Sequence, residues 1–220
     1  MLNDKTALRS RLLAARAAMS PEQRQQAGLE LGRRALSLAA ILWSEAQAPD
    51  RARPARGLPP GSQLLPDRLP AVVAGYVSVG AEPGTPALLD ALRARGVRVL
   101  LPLLRADNDL DWGVYQGAES LVGARRGLRE PGGAPLGPEA VCEADLVLMP
   151  GLAVDRRGVR LGRGGGSYDR VLARLAAAGS SAPLVTLLYD DEVLPEVPAE
   201  AHDRPVDAAV TPSKLWRFGA

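Results

Sequence analysis

Apolar residues near the start of the chain follow the pattern of an amphipathic helix. Within residues 4–18, Leu8, Leu12 and Leu13 recur at helical spacing and share one face. The arginines of the segment, Arg16 among them, fall on the other faces. We therefore expect a helix that packs its leucines against the rest of the protein and turns Arg16 away from them.

A second helix follows a recognisable start signal. Ser20 suits the N-cap, Pro21 suits the first helical position, and Gln23 is placed to reach back to the cap. This predicts a helix from Pro21 to about residue 40 or beyond. Residues 48–70 then contain six prolines and no periodicity. We expect a long loop or disordered insertion there, because its apolar content is too low to offset the entropy lost on ordering.

Short apolar runs in the remaining sequence predict a parallel sheet. The runs 71–79 and 97–101 are typical of strands buried on both faces, and a helix that Thr85 caps and Gly96 ends lies between them. Further strands are expected at 112–115, 145–149, 183–189 and 206–210, with a helix at about 167–178. This order predicts an α/β fold in a single domain over residues 1–220. We expect an open, mainly parallel sheet with helices on both faces, a Rossmann-like three-layer sandwich.

Composition removes several kinds of chemistry and partner. One cysteine and one histidine exclude an internal disulfide, a cysteine zinc site and a histidine metal cluster. A formal charge of +2 and few aromatic residues argue against a nucleic-acid partner. No run approaches the roughly 18 to 20 apolar residues of a membrane span, and the N-terminus has no signal-peptide core. We therefore expect a cytoplasmic monomer with small-molecule substrates and no membrane partner.

The most informative segment is 149–170, with the sequence MPGLAVDRRGVRLGRGGGSYDR. Four glycines within five positions, between a strand and a helix, let backbone N–H groups approach a ligand, and phosphate is the natural one. Arg160 and Arg163 flank the glycines, and Asp169 could hold Mg²⁺ beside the phosphates. The segment fits neither G-x-x-x-x-G-K-[ST] nor a clean G-x-G-x-x-G. Residue chemistry alone therefore indicates a phosphate-binding loop, with a simple tight turn as the alternative.

This segment closely resembles the signature of the 5-formyltetrahydrofolate cyclo-ligase family, which has the form PGL-A-F-D-x-x-G-x-R-L-G-x-G-x-G-x-Y-D. Three weaker family features lie in the same order along the chain. Lys5 and Arg9 are similar to its Lys-x-x-x-Arg helix, Glu82 begins a match to its Glu-x-x-Thr, and residues 127–131 match its Gly-Ile-x-Glu-Pro. The chain departs from the family at Ser167, where an aromatic residue is frequent.

The resemblance implies cyclisation of 5-formyltetrahydrofolate to 5,10-methenyltetrahydrofolate, with ATP as co-substrate and Mg²⁺ as cofactor and with release of ADP and phosphate. Arg163 and Asp169 would be the catalytic residues, and Asp169 and Asp203 would bind the metal. The implied folate-binding residues are Val77, Glu82, Arg163, Gly164, Gly165, Gly166 and Ser167. The implied ATP-binding residues are Lys5, Thr6, Ala7, Leu8, Arg9, Arg160, Leu161, Gly162, Arg163, Gly164, Gly165, Gly166, Ser167 and Tyr168.

Two other functions stay open at the level of the sequence. The first is a non-catalytic module that holds a nucleotide or folate for storage or regulation. The second is a related enzyme that acts on another formyl or amide substrate, which the departure at Ser167 allows. Against the first, a pure binding module has little use for two separated metal carboxylates such as Asp169 and Asp203.

Overall fold

A computed structural model describes residues 2–46, 69–200 and 203–219. Nearly all of the insertion expected at 48–70 lies outside the described residues. The helices of the described part are α1 (Leu2–Ala18), α2 (Pro21–Ala46), α3 (Pro86–Arg93) and α4 (Ser167–Ala177). Its strands are β1 (Val72–Ala74), β2 (Arg98–Leu104), β3 (Leu110–Val114), β4 (Leu121–Gly123), β5 (Arg129–Pro131), β6 (Leu146–Pro150), β7 (Ala153–Asp155), β8 (Arg160–Leu161), β9 (Leu184–Leu187), β10 (Val193–Leu194), β11 (Ala208–Val210) and β12 (Leu215–Arg217).

The central sheet has seven strands in the order β12-β11-β9-β6-β1-β2-β3. Its five inner strands, β11, β9, β6, β1 and β2, run parallel to one another. The edge strands β3 and β12 are antiparallel to their neighbours. Helix α3 connects the adjacent parallel strands β1 and β2. The predicted mainly parallel sheet with a β-α-β unit is therefore confirmed.

Helices cover the two faces of this sheet. On one face α2 and α3 pack through Leu31 and Leu88 onto Leu101 and its neighbours. On the other face Val171 of α4 joins a separate cluster around the fully buried Trp112. The predicted three-layer arrangement is confirmed. Among the described residues, no helix is both long enough and apolar enough to cross a membrane.

Two details at the element boundaries depend on side-chain hydrogen bonds. At the start of α2, the Gln23 backbone N–H donates to Ser20 Oγ at 3.2 Å and the Ser20 N–H donates to Gln23 Oε1 at 2.8 Å, which confirms the predicted cap. Thr85 occupies the N-cap of α3 as predicted, with Pro86 after it, but the Thr85 side chain makes no capping hydrogen bond. Its hydroxyl donates to the Tyr76 carbonyl at 2.7 Å and accepts from the Ser78 N–H at 2.9 Å. Thr85 therefore closes the loop after β1, which also explains why this strand ends well before residue 79.

The neighbouring strands β1 and β6 mark the point where the chain changes direction along the sheet. From β1 the chain passes through α3 to β2 on one side, and from β6 it passes through α4 to β9 on the other. Open α/β sheets bind ligands at the carboxyl ends of the strands at such a point. The loops 75–85 and 151–166 therefore border the expected ligand crevice.

Candidate active site

A buried aspartate organises the first part of the loop after β6. Asp155, at the end of β7, is fully buried and accepts hydrogen bonds from the backbone N–H groups of Arg157, Val159 and Val197 at 2.8, 3.0 and 3.2 Å. Burial alone would favour the neutral acid, but these bonds and the Arg157 guanidinium hold the pKa of Asp155 below its usual value. The hairpin of β7 and β8 that results carries Arg160 on β8.

The glycines that follow allow side chains to lie directly against the backbone. A Cβ added at Gly162 would lie 2.9 Å from Arg160 Nη1. Gly164 has a left-handed φ of +91°, and a Cβ there would lie 3.4 Å from Cζ of Arg9. Gly166 also has a positive φ and precedes α4, which begins at Ser167. The loop therefore needs glycine at specific positions, as expected for a loop whose backbone contacts a ligand.

Arg160 is fixed beneath this loop rather than free in solvent. Its side chain is buried, and its two terminal nitrogens donate to the Pro150 carbonyl at 3.1 Å and to Asp169 Oδ1 at 3.3 Å. The guanidinium lies 5.9 Å from the centre of the Tyr168 ring. Burial lowers the pKa of the Arg160 guanidinium. Its role in the site is thus to hold the first turn of α4 against the end of β6.

Helix α1 lies across the glycine loop through its basic residues. Lys5 Nζ donates to Asp203 Oδ2 and to Glu200 Oε1, both at 3.0 Å, and Arg9 Nε donates to the Gly162 carbonyl at 3.0 Å. Burial disfavours the charged ammonium, but the two carboxylates more than compensate and raise the pKa of Lys5. Of the two predicted nucleotide-binding residues, Arg9 therefore contacts the predicted phosphate loop, and Lys5 contacts the predicted metal ligand Asp203.

The predicted orientation of α1 is partly wrong. Leu12 packs in a small apolar cluster, but the Leu13 side chain is 39% exposed, whereas Arg16 is only 2% exposed. Arg16 donates through Nε and Nη2 to the two carboxylate oxygens of Glu192 at 2.6 and 2.8 Å, and through Nη2 to the Gly151 carbonyl at 2.6 Å. The buried face of α1 therefore contains the ion pair of Arg16 with Glu192, and Leu13 lies outside that face. The one sequence signal for the burial of Arg16 is its spacing, because it lies one helical turn beyond the buried Leu12.

The loop after β1 supplies the other wall of the crevice. Glu82 accepts a hydrogen bond from the Val79 N–H at 2.9 Å, and its other carboxylate oxygen lies 3.2 Å from Arg163 Nε. The Arg163 side chain is 53% exposed while that of Glu82 is 11% exposed. Val77 is half-buried and packs against the main core. The structure therefore joins the predicted folate-binding glutamate to the predicted phosphate loop.

Not every residue in the predicted nucleotide segment of α1 faces the crevice. Leu8 packs beside the apolar cluster of Leu12, but Thr6 and Ala7 are exposed on the helix surface. Beneath the loop, Leu161 is buried in that same cluster. Ser167 is half-buried and Tyr168 places its ring under Arg160.

The two predicted metal ligands approach Arg160 from different elements. Asp169 contacts this arginine directly, and the charge of Asp203 also acts on it. Within the described ranges, no three His, Cys, Asp or Glu side chains gather into a group that could hold a metal by themselves. One or two carboxylates suit Mg²⁺, because this ion takes its remaining ligands from substrate phosphates and water. The donor set therefore fits Mg²⁺ that arrives with a nucleotide.

Comparisons with known proteins identify the family and the fold. The model of a family described as the 5-formyltetrahydrofolate cyclo-ligase family matches residues 68–212. A protein of Mycolicibacterium smegmatis named 5-formyltetrahydrofolate cyclo-ligase is 48% identical over 147 residues, which cover 64% of this chain and 74% of that protein. A protein of the same name from Escherichia coli strain K12 is 27% identical over 205 residues, which cover 92% of this chain and 97% of that protein. The fold is similar to the solved structure of Aquifex aeolicus 5,10-methenyltetrahydrofolate synthetase, with a TM-score of 0.72 and 24% sequence identity. The match covers 98% of this chain and 93% of that chain.

Proposed function

Because the chain belongs to the 5-formyltetrahydrofolate cyclo-ligase family, we propose that it converts 5-formyltetrahydrofolate and ATP into 5,10-methenyltetrahydrofolate, ADP and phosphate. The contact between Glu82 and Arg163 carries this proposal. In such a reaction a phosphoryl group passes from the nucleotide to the folate, so the two substrates must meet. Glu82 and Arg163 connect the two loops at the point where that meeting would occur.

The chemical difficulty in this reaction is that a formamide oxygen is a poor leaving group. In the proposed first step the formyl oxygen attacks the γ-phosphorus, the bond from that phosphorus to ADP breaks, and N5 donates its electron pair to form an iminium phosphate. N10 then attacks the formyl carbon and loses its proton. The carbon–oxygen bond breaks and phosphate departs. The protein must chiefly hold both substrates in line and neutralise charge on the phosphates.

Basic groups on both sides of the loop suit that task. Arg163 is exposed enough to exchange Glu82 for phosphate oxygens, and its planar fork can donate two hydrogen bonds at once. Lys5 and Arg9 would approach the nucleotide from α1, where they already contact the loop and its neighbours. The backbone N–H groups of residues 164–166 would complete the phosphate contacts. None of these roles requires a nucleophilic side chain.

Asp169 and Asp203 would hold Mg²⁺. When bound, this ion would neutralise part of the charge on the phosphates of ATP. In the structure each of the two carboxylates has a cationic neighbour, Arg160 for Asp169 and Lys5 for Asp203.

We also propose that the protein acts in the cytoplasm as a single-domain monomer with only small-molecule substrates. Elution from a sizing column at the mass of one chain, with and without both substrates, would test the monomer. Elution as a stable dimer would contradict it.

Formation of the methenyl chromophore tests the proposed reaction. Purified protein mixed with 5-formyltetrahydrofolate and Mg-ATP should generate the product absorbance, and Asp169→Ala should abolish it. Asp191→Ala is the matched control, because Asp191 is also an exposed aspartate and belongs to neither of the loops 75–85 and 151–166. Nucleotide binding without any turnover would instead indicate a binding module. ATP hydrolysis that only another amide stimulates would indicate a related enzyme with a different substrate.

A further inference from the structure

One face of α1 contacts the rest of the protein over most of the length of the helix. This stripe consists of Lys5, Arg9, Leu12 and Arg16, at spacings of four, three and four residues. Arg9 donates to the Gly162 carbonyl in the phosphate loop at 3.0 Å. Leu12 packs into an apolar cluster, and Arg16 forms a buried ion pair at the far end. The position of Arg9 therefore depends on how that far end is held.

The ion pair at the end of this stripe fixes a direction as well as a contact. Arg16 Nε and Nη2 donate to the two carboxylate oxygens of Glu192 at 2.6 and 2.8 Å, and the two side chains are 2% and 6% exposed. Glu192 is itself held to the backbone, because its carboxylate also accepts from the Tyr189 N–H at 2.8 Å. A planar guanidinium bound at two points to a fixed carboxylate cannot turn without losing a hydrogen bond. Arg16 therefore sets the rotation of α1 about its own axis.

Arg16 also joins α1 to both loops that border the crevice. Its Nη2 donates to the carbonyl of Gly151, the first residue of the loop 151–166, at 2.6 Å. The guanidinium lies 5.6 Å from the centre of the Tyr189 ring. The Tyr189 hydroxyl in turn donates to a backbone carbonyl of the loop 75–85 at 3.4 Å. One side chain thus relates the position of α1 to the loops that follow β6 and β1.

Stability alone does not account for this pair. The cost of desolvating two buried charges roughly cancels their attraction, and well-packed apolar side chains often stabilise a protein as well or better. Nη1 of Arg16 is buried and has no hydrogen-bond partner among the described residues, which adds to that cost. The feature that the ion pair supplies and apolar side chains do not is the defined orientation of α1.

Resting on the proposed function, we propose that Arg16 is a positioning residue for the nucleotide and, with Glu192, holds α1 so that Arg9 reaches the phosphates of ATP. Arg9 precedes Arg16 by two helical turns, or about 10 Å along the axis. A tilt of about 5° at Arg16 would therefore displace Arg9 by about 1 Å. That displacement breaks a hydrogen bond to a phosphate oxygen, because such bonds have donor–acceptor distances of about 2.7–3.2 Å. Loss of the ion pair should therefore weaken nucleotide binding, and the loss should depend on Arg9.

Removing both charges of the pair separates position from stability. In Arg16→Met/Glu192→Gln neither partner remains as an unpaired buried charge, and glutamine keeps an oxygen for the Tyr189 N–H. The thermal midpoint should fall by no more than about 4 °C. In calorimetric titration, a non-hydrolysable ATP analogue with Mg²⁺ should bind about 10-fold more weakly, because one hydrogen bond between charged groups contributes at least that factor.

The chain offers a matched control with the same replacements. Arg217→Met/Glu45→Gln removes another two-point pair, at 2.9 and 2.7 Å between β12 and α2. Neither residue belongs to α1 or to the loops 75–85 and 151–166. This control should change the affinity for the analogue by less than about 2-fold.

A background without Arg9 shows whether Arg16 acts through it. When Arg9→Ala is already present, adding Arg16→Met/Glu192→Gln should weaken binding of the analogue by less than about a further 2-fold. A merely structural role would lower the thermal midpoint and give the same loss of affinity in both backgrounds. Equal losses in the two backgrounds, or unchanged affinity when Arg9 is present, would overturn the inference.

Arg16→Lys provides a second variant that keeps the charge opposite Glu192 but not the two-point contact. It should fold and bind the analogue about 3-fold more weakly, and binding as tight as in the unmodified protein would also overturn the inference. These titrations contain no folate. A protein that binds the analogue but forms no methenyl product would therefore contradict the proposed function and leave the coupling of Arg16 to Arg9 intact.

Discussion

Two adjacent exposed glycines in the phosphate loop should respond differently to the same substitution. Gly164 has a φ of +91°, whereas Gly165 does not occupy the left-handed region and a Cβ there would lie 4.0 Å from its nearest neighbour, Ser167 Oγ. Holding a non-glycine residue left-handed costs about 1–2 kcal/mol. A Cβ at position 164 would also lie 3.4 Å from Cζ of Arg9. Gly165→Ala has neither cost, and its reduced unfolded-state entropy can stabilise the protein by about 0.4–1 kcal/mol.

Thermal unfolding and steady-state kinetics measure the difference between Gly164→Ala and Gly165→Ala. For a chain of this size, about 1 kcal/mol corresponds to roughly 2–4 °C, so Gly164→Ala should unfold at least about 2 °C below the unmodified protein. It should also raise the Michaelis constant for ATP, because the loop must shift against Arg9. Gly165→Ala should match or exceed the original midpoint. Equal thermal midpoints and equal Michaelis constants for ATP in the two variants would refute this explanation of the loop.

Two further substitutions test the framework and the chemistry of the site. Asp155→Asn should lower the free energy of unfolding in urea by about 1.5–3 kcal/mol, because it removes the charge that three backbone N–H groups and Arg157 bind. Since the folded-state pKa of Asp155 lies below its unfolded value, its contribution is present above about pH 4 and is lost as pH falls through the folded pKa. The variant should therefore lose part of this acid dependence, and an unaltered pH profile would contradict the role. Arg163→Ala should raise the Michaelis constant for ATP and lower the turnover rate, and unchanged values of both would exclude a contact with phosphate.

Local patterns in the sequence were sufficient for the layers of the fold and the position of the loop. Apolar runs buried on both faces indicate parallel strands, and the glycines between β6 and α4 mark a backbone that must approach a ligand. The start of α2 was equally predictable, because the Ser20 cap uses residues only a few positions apart.

What local patterns could not supply were interactions between distant parts of the chain. The sequence pattern predicts Arg16 on a face away from the leucines, because an isolated arginine favours solvent. Its burial depends on Glu192, 176 positions away, and on the carbonyl at the end of β6. Thr85 does precede α3 as its N-cap, but local sequence gives no sign that its hydroxyl bonds to the loop after β1 instead of to the helix.

The fate of the formyl oxygen tests the central claim most directly. 5-Formyltetrahydrofolate labelled with ¹⁸O at the formyl group would be converted with unlabelled Mg-ATP, and the released phosphate would be examined by mass spectrometry or ³¹P NMR. Transfer of the γ-phosphoryl group to that oxygen predicts phosphate that carries the label in an amount equal to the methenyl product. Unlabelled phosphate formed together with methenyl product would contradict phosphorylation of the formyl oxygen.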